Sequence, residues 1–220
     1  MHESLLRRLN EEVCKRDSLD ELSKQKPDPL LVAREYHDEH IALICALFSY
    51  GSAKSIVNFL KSLDFSLLEK SEEELKLVLS GKKYRFQSEQ DIIEIFKTMK
   101  SFKKYGSIEK IFSKGYQKNY DVMEGLEFLI DFIYSLSDYD SLGYRFFFGK
   151  RPSTCKGSTF KRWHMYLRWM VRKDALDMGI WSAVRKQDLL MPLDTHTFRV
   201  AKELGLLQRK SYDFKIYEAS

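Results

Sequence analysis

Apolar residues recur along this chain at intervals of three and four, with charged residues between them, which is the period of amphipathic helices. Residues 3–15 read as the first such helix. A proline-bearing break, KPDPL at 26–30, delivers the chain to a long helical stretch predicted to begin near Leu31. The run IALICALFSYG at 41–51 is apolar around its whole circumference, as a helix buried on all sides must be, and Gly51 suits its C-terminal end. Ser52 is placed to cap the next helix, which carries Leu60 and Leu63. Ser71 followed by Glu74 is a capping-box pattern opening a helix that Gly81 stops. Beyond a basic aromatic loop, KKYRF, helices are predicted around 88–100, 107–113 and 121–136. An aromatic helix opens near Thr159, and a last amphipathic helix carries Phe198, Val200, Ala201 and Leu204. The pattern predicts an all-α fold in one domain over residues 1–220.

Composition narrows this further. Among 220 residues, 44% are hydrophobic and 31% charged, the balance of a globular rather than a disordered chain. A chain of this length buries about 70% of its unfolded surface without disulfides or metals. No apolar run approaches the ~20 residues of a membrane span, and MHESLLRRLNEEVCKRD lacks the features of a secretory signal, so a cytoplasmic location away from membranes is expected. Cys14, Cys45 and Cys155 lie too far apart for a disulfide framework or for a zinc or iron–sulfur site, so neither metal nor cofactor is expected. The net charge of +5 is compatible with a polyanionic partner.

Candidate chemistry concentrates in the C-terminal third. A glycine-containing basic segment begins at Gly143 and leads into KRWHMYLRWMVR. At 100° per residue this helix presents Lys161, Met165, Arg168 and Arg172 on one face and Trp163, Tyr166, Leu167 and Met170 on the other. Lys161 falls in the first turn, where the helix dipole and nearby Arg162 and Arg168 disfavour a charged ammonium, as a nucleophilic amine requires. The same spacing describes an ordinary solvated basic face. Downstream, MPLDTHTF places Asp194 just before a helix, as an N-cap. A carboxylate fixed there is also rigid and charged, as needed to accept a proton and stabilise a cationic transition state. His196, Trp169 and Trp181 are secondary candidates for acid–base work or base stacking, each also readable as structural.

The segments YRF at 84–86, RWMVRKDALDMGIW at 168–181 and PLDTH at 192–196 resemble an uncharacterised bacterial family of unknown function across most of the chain. Residues 152–206 are similar in layout to the helix-hairpin-helix DNA glycosylases, in particular the archaeal 8-oxoguanine glycosylases. In those enzymes a lysine opens the helix after the hairpin and an aspartate follows a proline-containing loop about thirty residues later. Here the separation is 194 − 161 = 33 residues. The resemblance implies two helical lobes with a cleft between them, a hairpin-like region and active-site helix at about 143–173, and a double-stranded DNA partner carrying a damaged base. It assigns Lys161 to attack on the sugar C1′ of a flipped nucleotide and Asp194 to assist it. It also brings Ser49, Tyr50 and Ser52, after the buried helix, toward that nucleotide.

The sequence departs from that family at the hairpin, where RPSTCKGSTFK replaces a Leu-Pro-Gly-Val-Gly type turn; Gly157, Ser158 and Thr159 are the residues available to hold a phosphate. The absence of a C-terminal cysteine cluster excludes the iron–sulfur branch. Two further readings stay open. One is a non-catalytic nucleic-acid-binding module using Lys150, Arg151, Lys156, Arg162 and Arg168 on phosphates. The other is a helical scaffold for another protein.

Overall fold

A computed structural model describes residues 3–23, 25–154 and 158–207. Eleven α-helices and no strands occur among them: α1 (Glu3–Arg16), α2 (Pro29–Tyr36), α3 (Glu39–Leu47), α4 (Ala53–Lys61), α5 (Glu72–Leu79), α6 (Glu89–Lys103), α7 (Ile108–Tyr116), α8 (Val122–Tyr134), α9 (Leu142–Phe148), α10 (Lys161–Val171) and α11 (Thr195–Glu203). The all-α expectation therefore holds. No helix among these residues is long and apolar enough to cross a membrane.

The predicted boundaries follow the capping residues. Ser52 accepts from the Ser55 amide at the start of α4, and Ser71 and Glu74 form the reciprocal capping box of α5. The long stretch predicted from Leu31 is two helices. Asp28 caps α2; His37 then turns into the left-handed region at φ 49°, and Asp38 caps α3 by accepting from the amides of His40 and Ile41. Two short-range capping carboxylates ten residues apart outweigh continuous helical periodicity. Another helix, α9, was hidden in the glycine-containing basic segment: Ser141 caps it and Gly149, at φ 78°, ends it.

Helix α3 is the core's axis. Every residue from Ala42 to Phe48 is fully buried, and α2, α6 and α10 pack against it. Trp163, Tyr166, Leu167 and Met170 of α10 face inward as its periodicity predicts, and Trp169 is buried with them. Glu39, the first residue of α3, joins distant segments. Its carboxylate accepts from the Ile108 amide (2.8 Å) and the Glu109 amide (3.1 Å) at the start of α7, and from the Trp181 indole (2.7 Å). Helix α1, by contrast, buries none of its residues.

Beyond α10 the chain folds back on the helix end. The Met178 and Gly179 amides donate to the Trp169 carbonyl at 2.9 and 3.1 Å, and the Trp181 amide to Met170 at 2.8 Å, satisfying carbonyls that a helix terminus leaves unpaired. Asp177, its side chain 1% exposed, is paired with Arg168 at 3.2 Å and Arg172 at 3.5 Å. Burial raises its pKa, and the two guanidiniums oppose that by favouring the charged form. This closed loop fixes the route from α10 to α11.

Candidate active site

Lys161 and Asp194, 33 residues apart, meet. Lys161 Nζ donates to Asp194 Oδ2 at 2.7 Å, while Asp194 Oδ1 accepts from the Thr197 amide at 2.8 Å. Asp194 is thus the N-cap of α11 and the partner of the lysine at once. Two residues before Lys161 and one before Asp194, Thr159 Oγ1 donates to the Leu193 carbonyl at 3.2 Å, a second cross-link between the approaches to the two helices. The pair is neither buried nor free in solvent: the lysine side chain is 41% exposed and the aspartate 37%.

Partial burial works against ionisation of Asp194, but the Lys161 hydrogen bond and those from Thr197 outweigh it and hold the carboxyl at about 2. A carboxylate this acidic is a firm negative charge at neutral pH, suited to stabilising a cation beside it. It is a weak proton acceptor while the ammonium is in place, and becomes a stronger one as that hydrogen bond is given up. Because the folded pKa lies below the ordinary carboxylate value, the cap's contribution to stability is complete above about pH 4 and is lost as pH falls toward 2. The melting-temperature gap between wild type and Asp194→Ala is therefore expected to shrink over that window; a gap independent of pH there would contradict the assigned ionisation.

The start of α10 is unusual. Phe160 occupies the N-cap position at φ 48°, a conformation costly for a non-glycine residue, and provides no side-chain cap. Side chains hold the helix in place instead. The Trp163 indole donates to the Phe148 carbonyl at 2.9 Å. Arg162, expected to contact phosphate, is turned inward: it donates to the carbonyl of Leu47 at 2.5 Å and to that of Phe146, and lies over the rings of Phe146 at 4.3 Å and Tyr50 at 5.4 Å. Burial pulls its pKa down to about 10, so the guanidinium keeps its charge at neutral pH. It is a clamp between the ends of α3 and α9 and the first turn of α10.

The other expected site residues separate into groups. Trp169 is fully buried and Trp181 nearly so, which makes both core residues rather than stacking surfaces. Arg168 is committed to Asp177, and Arg151 to Asp131 at 2.5 Å. Ser49 bonds back to the Cys45 carbonyl at 2.7 Å, and Ser52 is occupied as the α4 cap. Tyr50 is half-buried and its hydroxyl donates to Gln87. Lys150, Ser158 and His196 are exposed; Ser158 Oγ accepts from the Phe160 amide at 3.2 Å. Lys156 and Gly157 lie outside the described residues. His164, not a candidate in the sequence, is buried in α10 three residues after Lys161, and burial pulls its pKa down to about 3, leaving it neutral. No cluster of three or more metal-ligating side chains occurs among the described residues.

A family described as a protein of unknown function, DUF2400, matches residues 28–219. The chain belongs to the DUF2400 family. No curated protein and no solved structure matches it. The DUF2400 match begins at Asp28, the cap of α2, so it takes in every helix that packs around α3 together with Lys161 and Asp194 and leaves α1 outside.

Proposed function

We propose that this DUF2400 protein is a helix-hairpin-helix-type DNA glycosylase with lyase activity, acting on an oxidised or otherwise damaged base from a cleft between two helical lobes. The observation that carries the reading is the 2.7 Å contact between Lys161 and Asp194, with each residue at the N-terminus of a separate helix. Such a constellation, nucleophile beside an acid–base partner that a third group fixes in place, is the general arrangement of an activated nucleophile. The Thr197 amide is that third group.

A proton leaves the Lys161 ammonium for Asp194, and the amine lone pair forms a bond to C1′ of the flipped nucleotide. The C1′–base bond breaks, its electron pair leaves with the base, and the base takes up the proton that passed through Asp194. A proton moves from the attached nitrogen to the sugar ring oxygen as the C1′–O4′ bond breaks, giving a protonated imine; a C2′ proton then passes to water, and the electron pair it leaves expels the 3′ phosphate by β-elimination and cuts the strand. Once that first proton has passed from Asp194 to the base, the Asp194 carboxylate opposes the positive charge on the sugar-bound nitrogen and the imine.

The test is base release and strand cleavage on a duplex bearing one 8-oxoguanine, with a panel of other lesions alongside. Wild type is expected to release a base from at least one member, and Lys161→Gln to release none. Release by Lys161→Gln at the wild-type rate removes the lysine from the reaction, and a wild type inert on the whole panel removes the glycosylase reading. A plain surface ion pair, the competing account, is worth at most about 1 kcal/mol and involves no adduct.

A further inference from the structure

The aromatic loop between α5 and α6 is not absorbed by the chemistry above. Tyr84 and Gln87 pair as an isolated two-residue bridge, with reciprocal backbone hydrogen bonds of 3.3 and 2.9 Å, so Arg85 and Phe86 form the tip of a tight turn. Arg85 sits there at φ 56°, in the left-handed region that favours glycine. The turn thus carries a large side chain at a position whose conformation favours glycine, with Phe86 beside it. Phe86 is 57% exposed, and its ring lies 4.8 Å from that of Phe146, itself 37% exposed. Tyr50 closes the triangle, 5.8 Å from Phe86 and 4.8 Å from Phe146.

The floor of this cluster is rigid and the rim is cationic. Below, Tyr50 is held by Tyr84, whose hydroxyl donates to the Tyr50 carbonyl at 2.8 Å, and by Arg162 over its ring. Arg85 lies 5.9 Å from the same ring, packed so closely on Gly51 that a Cβ there would stand 2.8 Å from its guanidinium. Lys83 and Arg85 are both exposed and form no ion pair among the described residues. Two exposed aromatic rings on a fixed base, beside unpaired positive charge, match a ligand that carries both a flat π face and a phosphate.

We infer that Phe86 and Phe146, with Arg85 and Lys83 at their edge, form a stacking platform for an unpaired base of a nucleic-acid strand. Because Arg162 reaches under both Tyr50 and Phe146 from the residue next to Lys161, the platform and the reactive pair share one support. The partner is again DNA, met here through an unpaired base rather than a damaged duplex, and the inference does not depend on Lys161 being a nucleophile.

The experiment is fluorescence anisotropy with a labelled 15-nucleotide single-stranded DNA, its abasic counterpart of equal charge, and the wild-type, Phe86→Ala, Phe146→Ala and Arg85→Ala proteins. Loss of one base–aromatic stack weakens binding roughly 5- to 100-fold, so each phenylalanine variant is expected to lose about 10-fold on the DNA and little on the abasic strand. Arg85→Ala is expected to lower the salt dependence on both strands, which the phenylalanine variants do not. Melting temperatures within a few degrees of wild type identify a variant that remains folded. Equal binding of DNA and abasic strands, or phenylalanine variants that bind as wild type does, overturns the platform. So does a wild-type dimer by light scattering that Phe86→Ala dissociates, since the rings are then a protein contact. Lys161→Gln separates the two proposals: platform contrast with no lesion chemistry leaves this inference standing alone, and lesion chemistry without the contrast leaves only the other.

Discussion

Asp194→Asn is expected to lower single-turnover base release at least 100-fold while leaving α11 intact and lesion-duplex affinity within a few-fold of wild type. The substitution separates the two roles of this side chain. Asparagine is as good an N-cap as aspartate, so the bond from the Thr197 amide persists. It carries no charge and takes no proton, so both the electrostatic stabilisation of the sugar cation and the route by which Lys161 sheds its proton are removed. Each of those contributions is typically worth about 100-fold or more. Asp194→Ala removes the cap as well, and its extra cost should appear as lost stability, about 1 kcal/mol, rather than as a further loss of rate. Equal rates for wild type and Asp194→Asn would reduce Asp194 to a capping residue.

The second large effect lies far from the reactive pair. Glu39→Ala strips acceptors from three donors at once, the Ile108 and Glu109 amides and the Trp181 indole, and Trp181 is buried. Leaving buried donors unsatisfied costs about 1–3 kcal/mol apiece, and the bonds lost are to a charged acceptor. A total near 3 kcal/mol is expected, seen as a fall in melting temperature of roughly 6–12 °C for a chain of this size. Glu39→Gln keeps the oxygen acceptor and should recover part of it. Since Glu39 starts the central helix and Trp181 belongs to the loop that leads to Asp194, the destabilised variant is also expected to lose lesion affinity. A melting temperature unchanged by Glu39→Ala would mean that this three-way junction is not a support of the fold.

Local chemistry explains which parts of this molecule were legible from its residues. Capping side chains act over two or three positions, so Ser52, the Ser71–Glu74 box and Asp194 could be read directly, as could the all-round apolar character that buries α3. The break between α2 and α3 is also local, but a helical period runs through it, and the signal of Asp38 followed by the amides it caps is easily passed over. Long-range partners are another matter. Nothing in the helical period of KRWHMYLRWMVR distinguishes Arg162, which turns under Tyr50 and Phe146, from a solvated arginine. The commitment of Arg168 to Asp177 depends on a loop that folds back nine residues later. Trp181 read as a possible stacking surface because its hydrogen-bond partner, Glu39, lies 142 residues away. The Lys161–Asp194 contact was anticipated only through the layout of a remote family, since each residue has an ordinary reading by itself.

That contact is the centre of the account, and reduction with borohydride tests it most directly. Wild-type protein mixed with a lesion-bearing duplex and sodium borohydride is expected to yield a covalent protein–DNA adduct, and peptide mass mapping is expected to place the sugar remnant on Lys161 Nζ. An adduct mapped to another amine, or base release by wild type with no trapped species at all, would contradict Lys161 as the nucleophile.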